Sequence, residues 1–162
     1  MGITVSGGES DAGLTLRTRL TNNTFDFAST ALANVPFMGS TITNELGATV
    51  DAANHEVTDV PEGRYNLTAY ASWSETPGNT QRDVIALFLE VNGVKVGTNF
   101  DNNYTRDTGT NGARSGQTVV IPSLDLEPTD VLRIRRVQIS GAGGVLRPDA
   151  GAQHEFILQK VI

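Results

Sequence analysis

From Val50 onward this chain alternates apolar and polar residues, and nowhere does it sustain the i, i+3, i+4, i+7 spacing of an amphipathic helix. The stretch Val57 to Trp73, "VTDVPEGRYNLTAYASW", states the pattern most fully. After a turn at Pro61-Glu62-Gly63, Tyr65, Leu67, Ala69, Ala71 and Trp73 share one face of an extended strand. Asn66, Thr68, Tyr70 and Ser72 share the other. A chain with period two buries its apolar face by laying one sheet on another, so the first expectation is a β-sandwich.

The rest of the chain agrees. Val84 to Val91, "VIALFLEV", is apolar on both faces and reads as a central strand covered on both sides. Asn92-Gly93 follows, and both residues tolerate the positive φ of a tight hairpin turn, which returns Val94 to Val96 antiparallel. Gln117 to Ile121 reads as a strand closed by Pro122, and Glu127-Pro128-Thr129 as a turn between two further strands. His154 to Ile162 ends the chain as another alternating strand. Glu75–Asp83, Thr98–Gly116 and Ser140–Gly151 read as polar or glycine-rich loops. About eight to ten short strands joined by turns predict an all-β, antiparallel sandwich or jelly roll with almost no helix.

Composition narrows the function classes. The 17 glycines suit a chain of many turns, and the absence of cysteine excludes disulfides and thiolate metal sites. A net charge of −6 argues against sequence-independent binding to nucleic acid, which needs Lys and Arg against phosphates. No apolar run approaches the roughly 18 residues of a membrane-spanning helix, so no membrane partner is expected. Met1-Gly2-Ile3-Thr4 shows no basic region followed by an apolar core, so no secretory leader is expected either.

Residues 1–45 differ from the body at 46–162. In "LTLRTRL", Leu14, Leu16 and Leu20 alternate with Thr and Arg as in a half-buried strand. Phe25, Phe27, Leu32, Val35, Phe37 and Met38 are then scattered among small polar residues. Two readings stand: a peripheral strand and loops capping the core, or an extended N-terminal arm that docks onto a neighbouring protein.

The chemical inventory is thin. His55 and His154 lie in different elements without metal-ligand spacing, and both read as surface residues. No serine sits in a Gly-x-Ser-x-Gly elbow, and Gly141 to Gly144 has neither a following helix nor a Lys-Ser/Thr pair. Arg133 and Arg135 share a strand face with Arg136 opposite, which reads as surface or intersubunit ion pairs rather than a nucleic-acid patch. No catalytic residue, metal site or cofactor is expected, and the chain reads as non-enzymatic.

Four short motifs in order resemble the complement-q-type and tumour-necrosis-factor-like jelly-roll family. Pro61-Glu62-Gly63-Arg64-Tyr65-Asn66-Leu67 matches its Pro-x-x-Gly-x-Tyr-x-Phe strand, with Leu in the Phe place. Leu89 to Gly93 matches its strand ending in Asn-Gly, and Leu126 to Val131 its Leu-x-x-Gly-Asp-x-Val element, with Thr129 in the Gly place. His154 to Leu158 resembles its last strand. The resemblance runs from about Ala48 to Ile162 and leaves residues 1–45 uncovered. The family's acidic calcium cluster and collagen stalk have no counterpart here, so its signalling and complement functions are not carried over.

What the resemblance implies is a compact homotrimer, with Tyr65, Leu67, Phe156 and Leu158 at the positions that pack around a threefold axis. A trimeric jelly roll with an N-terminal arm and no catalytic set resembles virion proteins of tailed bacteriophages. The expected function is a capsid decoration (cement) protein on the capsid surface, with the major capsid protein as partner. In that reading Leu14, Leu16, Phe25, Phe27 and Phe37 anchor the arm on the shell. The alternative is the receptor- or glycan-binding tip domain of a tail fibre, with Asn102, Asn103, Tyr104 and Arg106 in its ligand loop. The decoration role is preferred because the chain carries no coiled coil, collagen repeat or β-helical shaft.

Overall fold

The computed structural model describes residues 12–21, 24–28, 31–75, 82–97, 103–106, 114–140, 146–148 and 152–161. Their alternating pattern forms two antiparallel sheets. The first runs β10 (Arg114–Leu126), β6 (Gly63–Glu75), β13 (Glu155–Lys160), β1 (Thr15–Arg19) and β3 (Ser40–Asn44), with β12 (Leu146–Pro148) also on β6. The second runs β4 (Thr49–Asp51), β5 (Glu56–Thr58), β11 (Leu132–Ser140), β7 (Arg82–Val91) and β8 (Val94–Val96). There β2 (Ala33–Asn34) also pairs with β11, and β9 (Asn103–Arg106) with β7. The one helical element among the described residues is a 3-10 turn at Phe37–Gly39.

The inward face of β6 is the one the alternation marks. Tyr65, Leu67, Ala69, Ala71 and Trp73 are enclosed, and they meet Ile85, Leu87 and Leu89 of β7, Leu132 and Ile134 of β11, and Phe156 and Leu158 of β13 in one core. Burial of this apolar area, at about 25 cal/mol per Å2, is the main force holding the sheets together. This corrects the expected trimer positions. Tyr65, Leu67, Phe156 and Leu158 are each 0% exposed within a single subunit, so no neighbouring copy can touch them. Side chains one residue apart point to opposite sides of a strand, and these four point into the core of their own subunit.

The N-terminal arm is corrected as well over its described residues. β1 lies inside the first sheet, paired with β13 on one edge (Leu16 opposite Leu158) and with β3 on the other (Leu16 opposite Asn44). Leu16, Phe27 and Phe37 are fully buried, and Leu14 and Phe25 pack against the core. Phe27 stacks on Trp73 with ring centroids 4.9 Å apart, and Phe25 meets Phe27 edge-on at 5.0 Å. These aromatic side chains have enough apolar surface to close the core of their own subunit. The boundary at 45/46 therefore divides no two folding units; residues 1–11 lie outside the described residues.

The turns follow local chemistry. Asn92 and Gly93 both have positive φ (52° and 79°), and Asn92 Oδ1 accepts the Val131 N–H at 2.9 Å. Asp130 closes the Glu127 turn by accepting the Glu127 N–H at 2.8 Å. The Tyr65 hydroxyl donates to the Pro61 carbonyl, which accounts for the Pro-x-x-Gly-x-Tyr spacing: the phenol folds back over its own turn. Pro122 does not end its strand. β10 continues to Leu126 past a register shift between Ile121 and Leu124, and a proline is tolerated there because β10 is an edge strand.

Candidate functional site

The two outer faces of the sandwich differ in kind. On the second sheet, charges of alternating sign run across neighbouring strands. Arg133 holds Glu56 at 2.7 Å and Glu90 at 3.2 Å, and Arg135 lies 3.6 Å from the second Glu90 oxygen while donating to Asn34. The Glu56 bond, joined by Glu90 and opposed by burial, holds the Arg133 guanidinium above its ordinary value. The expected ion pairs at Arg133 and Arg135 are thus made within one subunit. Arg136 lies on the opposite face, as expected, but that face is the interior, so it is not placed for a surface or intersubunit ion pair. It is 3% exposed, donates to the Ala31 carbonyl at 2.8 Å and lies over the Phe25 ring at 5.3 Å. Burial lowers its pKa, with Asp26 opposing.

The outer face of the first sheet carries charge at the Arg64–Asp125 pair, 2.8 Å apart, and in a group around Glu155, with uncharged residues between them. Strand register sets Val120, Thr68, Ile157, Arg17 and Thr43 in one row, and Thr118, Tyr70, Glu155, Arg19 and Ser40 in the next. Val120 is 60% exposed and Tyr70 37%. The group around Glu155 is a triad. Arg17 grips Glu155 through Nε at 3.0 Å and Nη2 at 2.7 Å, and Arg19 Nη2 adds a bond of 3.1 Å. Burial alone would raise the Glu155 carboxyl, but the hydrogen bonds and charges of Arg17 and Arg19 outweigh it and hold the group below its ordinary value. Two arginines on one carboxylate make a site that can take a further anion.

Beside this face, where the edge of β10 stands off from β7 and β8, lies a cleft of about 440 Å3. Leu87, Phe88, Val96, Gln117, Val120 and Ile121 line it, with no acid, base or nucleophile among them. Thr118 and Val120 belong to both the cleft and the outer face, so the two form one continuous surface.

The histidines are not a pair. His55 has φ 59° in the turn between β4 and β5, where Asp51 accepts from Ala53 and Asn54. Burial lowers the His55 pKa, with the Asp51 charge opposing. His154, expected at the surface, is 5% exposed, and its Nδ1 accepts the Ser72 N–H at 3.2 Å. The strand parity that buries Phe156 and Leu158 buries His154 too, a signal the alternation of the last strand already held. Among the described residues no group of three or more His, Asp or Glu is placed to hold a metal.

Of the alternative ligand residues, Asn103, Tyr104 and Arg106 lie on β9, backbone-paired with Ile85, Val84 and Arg82; Asn102 lies outside the described residues. The segment Thr98–Gly116 is therefore part strand, because β7 offers it an open edge. Of the outer positions on the first sheet, Thr68 and Tyr70 are legible as the polar half of the β6 alternation, whereas Val120 and Ile157 are not, because an apolar side chain on an outer face breaks that signal.

No family model matches the chain, and no curated protein matches it. Solved structures do. The chain is similar to the Eiger TNF from S. frugiperda, with a TM-score of 0.55 over 93% of this chain and 94% of that one, at 11% identity. With both antiparallel sheets described, that likeness defines the class of fold: a tumour-necrosis-factor-like jelly roll.

Proposed function

We propose that this protein is a non-enzymatic structural protein that acts as a homotrimer, assembled through the outer face of the β10-β6-β13-β1-β3 sheet and deployed as a decoration protein on a phage capsid. One observation carries the self-association: the two outer faces are unequal. The second sheet carries the linked Glu56–Arg133–Glu90–Arg135 network, whereas the first presents Val120, Tyr70, Ile157 and threonines continuous with a cleft that no charged side chain lines. Apolar surface joined to a concave, uncharged edge is what a protein interface buries at its centre. The trimer is the state that the family resemblance implies.

The capsid role is supported by architecture. A threefold assembly matches local threefold points of a shell and engages several sites at once, so weak contacts add to firm attachment. Attachment does not draw on Leu14, Leu16, Phe25, Phe27 or Phe37, which are enclosed or packed on the core; it falls to the rims of the sandwich. Sedimentation equilibrium of the purified chain is expected to give three copies, and V120D with Y70D to give one. Co-sedimentation of the trimer with undecorated capsids tests the setting, and failure to bind any shell while binding host cells would move the protein to a fibre tip.

A further inference from the structure

We infer that Arg19 receives a carboxylate from a neighbouring copy of this chain. The inference rests on the self-association proposed above and names a group that this face lacks. Glu155 is occupied mainly by Arg17, which reaches its Oε1 and Oε2 at 2.7 Å each. Arg19 makes one bond to the same carboxylate, at 3.1 Å, and its Nε is enclosed without a hydrogen-bond partner. Among the described residues, two guanidiniums thus share one carboxylate and leave one positive charge over. Glu45 is held at the other end of β1, where its Oε2 accepts the N–H and hydroxyl of Thr15 at 3.0 Å each.

Three other arginines on the two sheets are matched. Arg64 has Asp125, while Arg133 and Arg135 have Glu56 and Glu90 between them. The Arg19 surplus lies on the row that also holds Tyr70 and Ser40.

In the separate subunit the surplus is harmless, since the Arg19 side chain is 42% exposed and water solvates it. Assembly through this face removes that water, and a desolvated charge without a counter-charge opposes association. The remaining N–H groups of Arg19 form a planar fork of the geometry a carboxylate accepts. A second copy brings such groups in excess, because the chain has 18 acidic residues against 12 basic ones. Arg19 is therefore a selective contact: it disfavours partners that bring no acid to this point.

The test is sedimentation equilibrium of the full chain as wild type, R19Q and R19K, with inorganic sulfate replacing chloride at fixed ionic strength. R19Q is expected to assemble about tenfold or more weakly, and R19K to fall between. Sulfate is expected to weaken wild-type assembly by competing for the guanidinium, and to leave R19Q unchanged. R19Q assembling as tightly as wild type overturns the inference; so does sulfate strengthening wild-type assembly, since a free oxyanion then fills the site. If R19Q fails to fold in a thermal scan, the sulfate series on wild type still decides. A wild type that stays monomeric at all concentrations overturns the self-association reading itself, whereas a trimer indifferent to Arg19 overturns this inference alone.

Discussion

The side-chain amide of Gln117 takes the place of a strand beside Leu87. Its Oε1 accepts the Leu87 N–H at 2.8 Å and its Nε2 donates to the Leu87 carbonyl at 3.4 Å. β8 pairs with Leu89 to Val91 and β9 with Arg82 to Ile85, so neither covers Leu87. Gln117 reaches across from β10 of the opposite sheet, and it is 5% exposed. One side chain thereby satisfies two buried backbone groups and fastens the two sheets together.

Gln117→Leu is accordingly expected to destabilise the fold by about 2–4 kcal/mol, since it keeps the volume but strands a buried N–H and C=O. Urea unfolding midpoints measure it. A loss below roughly 0.5 kcal/mol, the range of an ordinary surface change, would show that Leu87 finds other partners.

Parity on β6 and β13 separates folding from assembly. Phe156→Ala is expected to cost about 3–5 kcal/mol through the cavity it leaves, in dilute as in concentrated protein. Tyr70→Ser and Ile157→Ser are expected to change dilute-protein stability by roughly 0.5 kcal/mol or less while lowering the self-associated fraction. The comparison needs unfolding curves beside sedimentation data. The reverse pattern would restore Phe156 to an interface.

Removal of residues 1–45 is expected to prevent folding rather than to detach an arm. It takes away β1, β2 and β3, opening the edge of β13 and uncovering Phe156, Leu158 and Trp73. Exposed strand edges beside apolar surface lead to aggregation. A soluble, cooperatively unfolding fragment 46–162 would contradict the placement of β1 inside the sheet.

His55 gives a pH dependence of known sign. Its folded pKa lies below the ordinary 6.5, so the unfolded chain binds the proton more readily. The stability it contributes is complete above about pH 7 and falls as pH drops below 6.5 through the folded pKa. His55→Asn removes the titration and suits the positive φ at this site. Wild type is expected to lose more stability than this variant between about pH 7 and 5; equal slopes would exclude His55 as the cause.

Some elements of this fold are determined within a few residues of chain, and others are not. Period-two alternation along β6 and β13, the Asn92-Gly93 hairpin and the Glu127–Asp130 turn are legible because each depends on φ preferences and side-chain direction within a few residues. Strand partnership is not of that kind. Arg17 meets Glu155 across 138 positions, and nothing near either residue announces the other. Whether Tyr65 and Phe156 face an opposing sheet or a neighbouring copy is likewise undetermined locally, since either surface buries an apolar ring equally well. Pairing of β1 between β13 and β3, closure of the core by Phe27 and Phe37, and the stand-in role of Gln117 arise only when distant strands come together. Short-range sterics write the elements; the apolar area and backbone hydrogen bonds satisfied at long range choose how they meet.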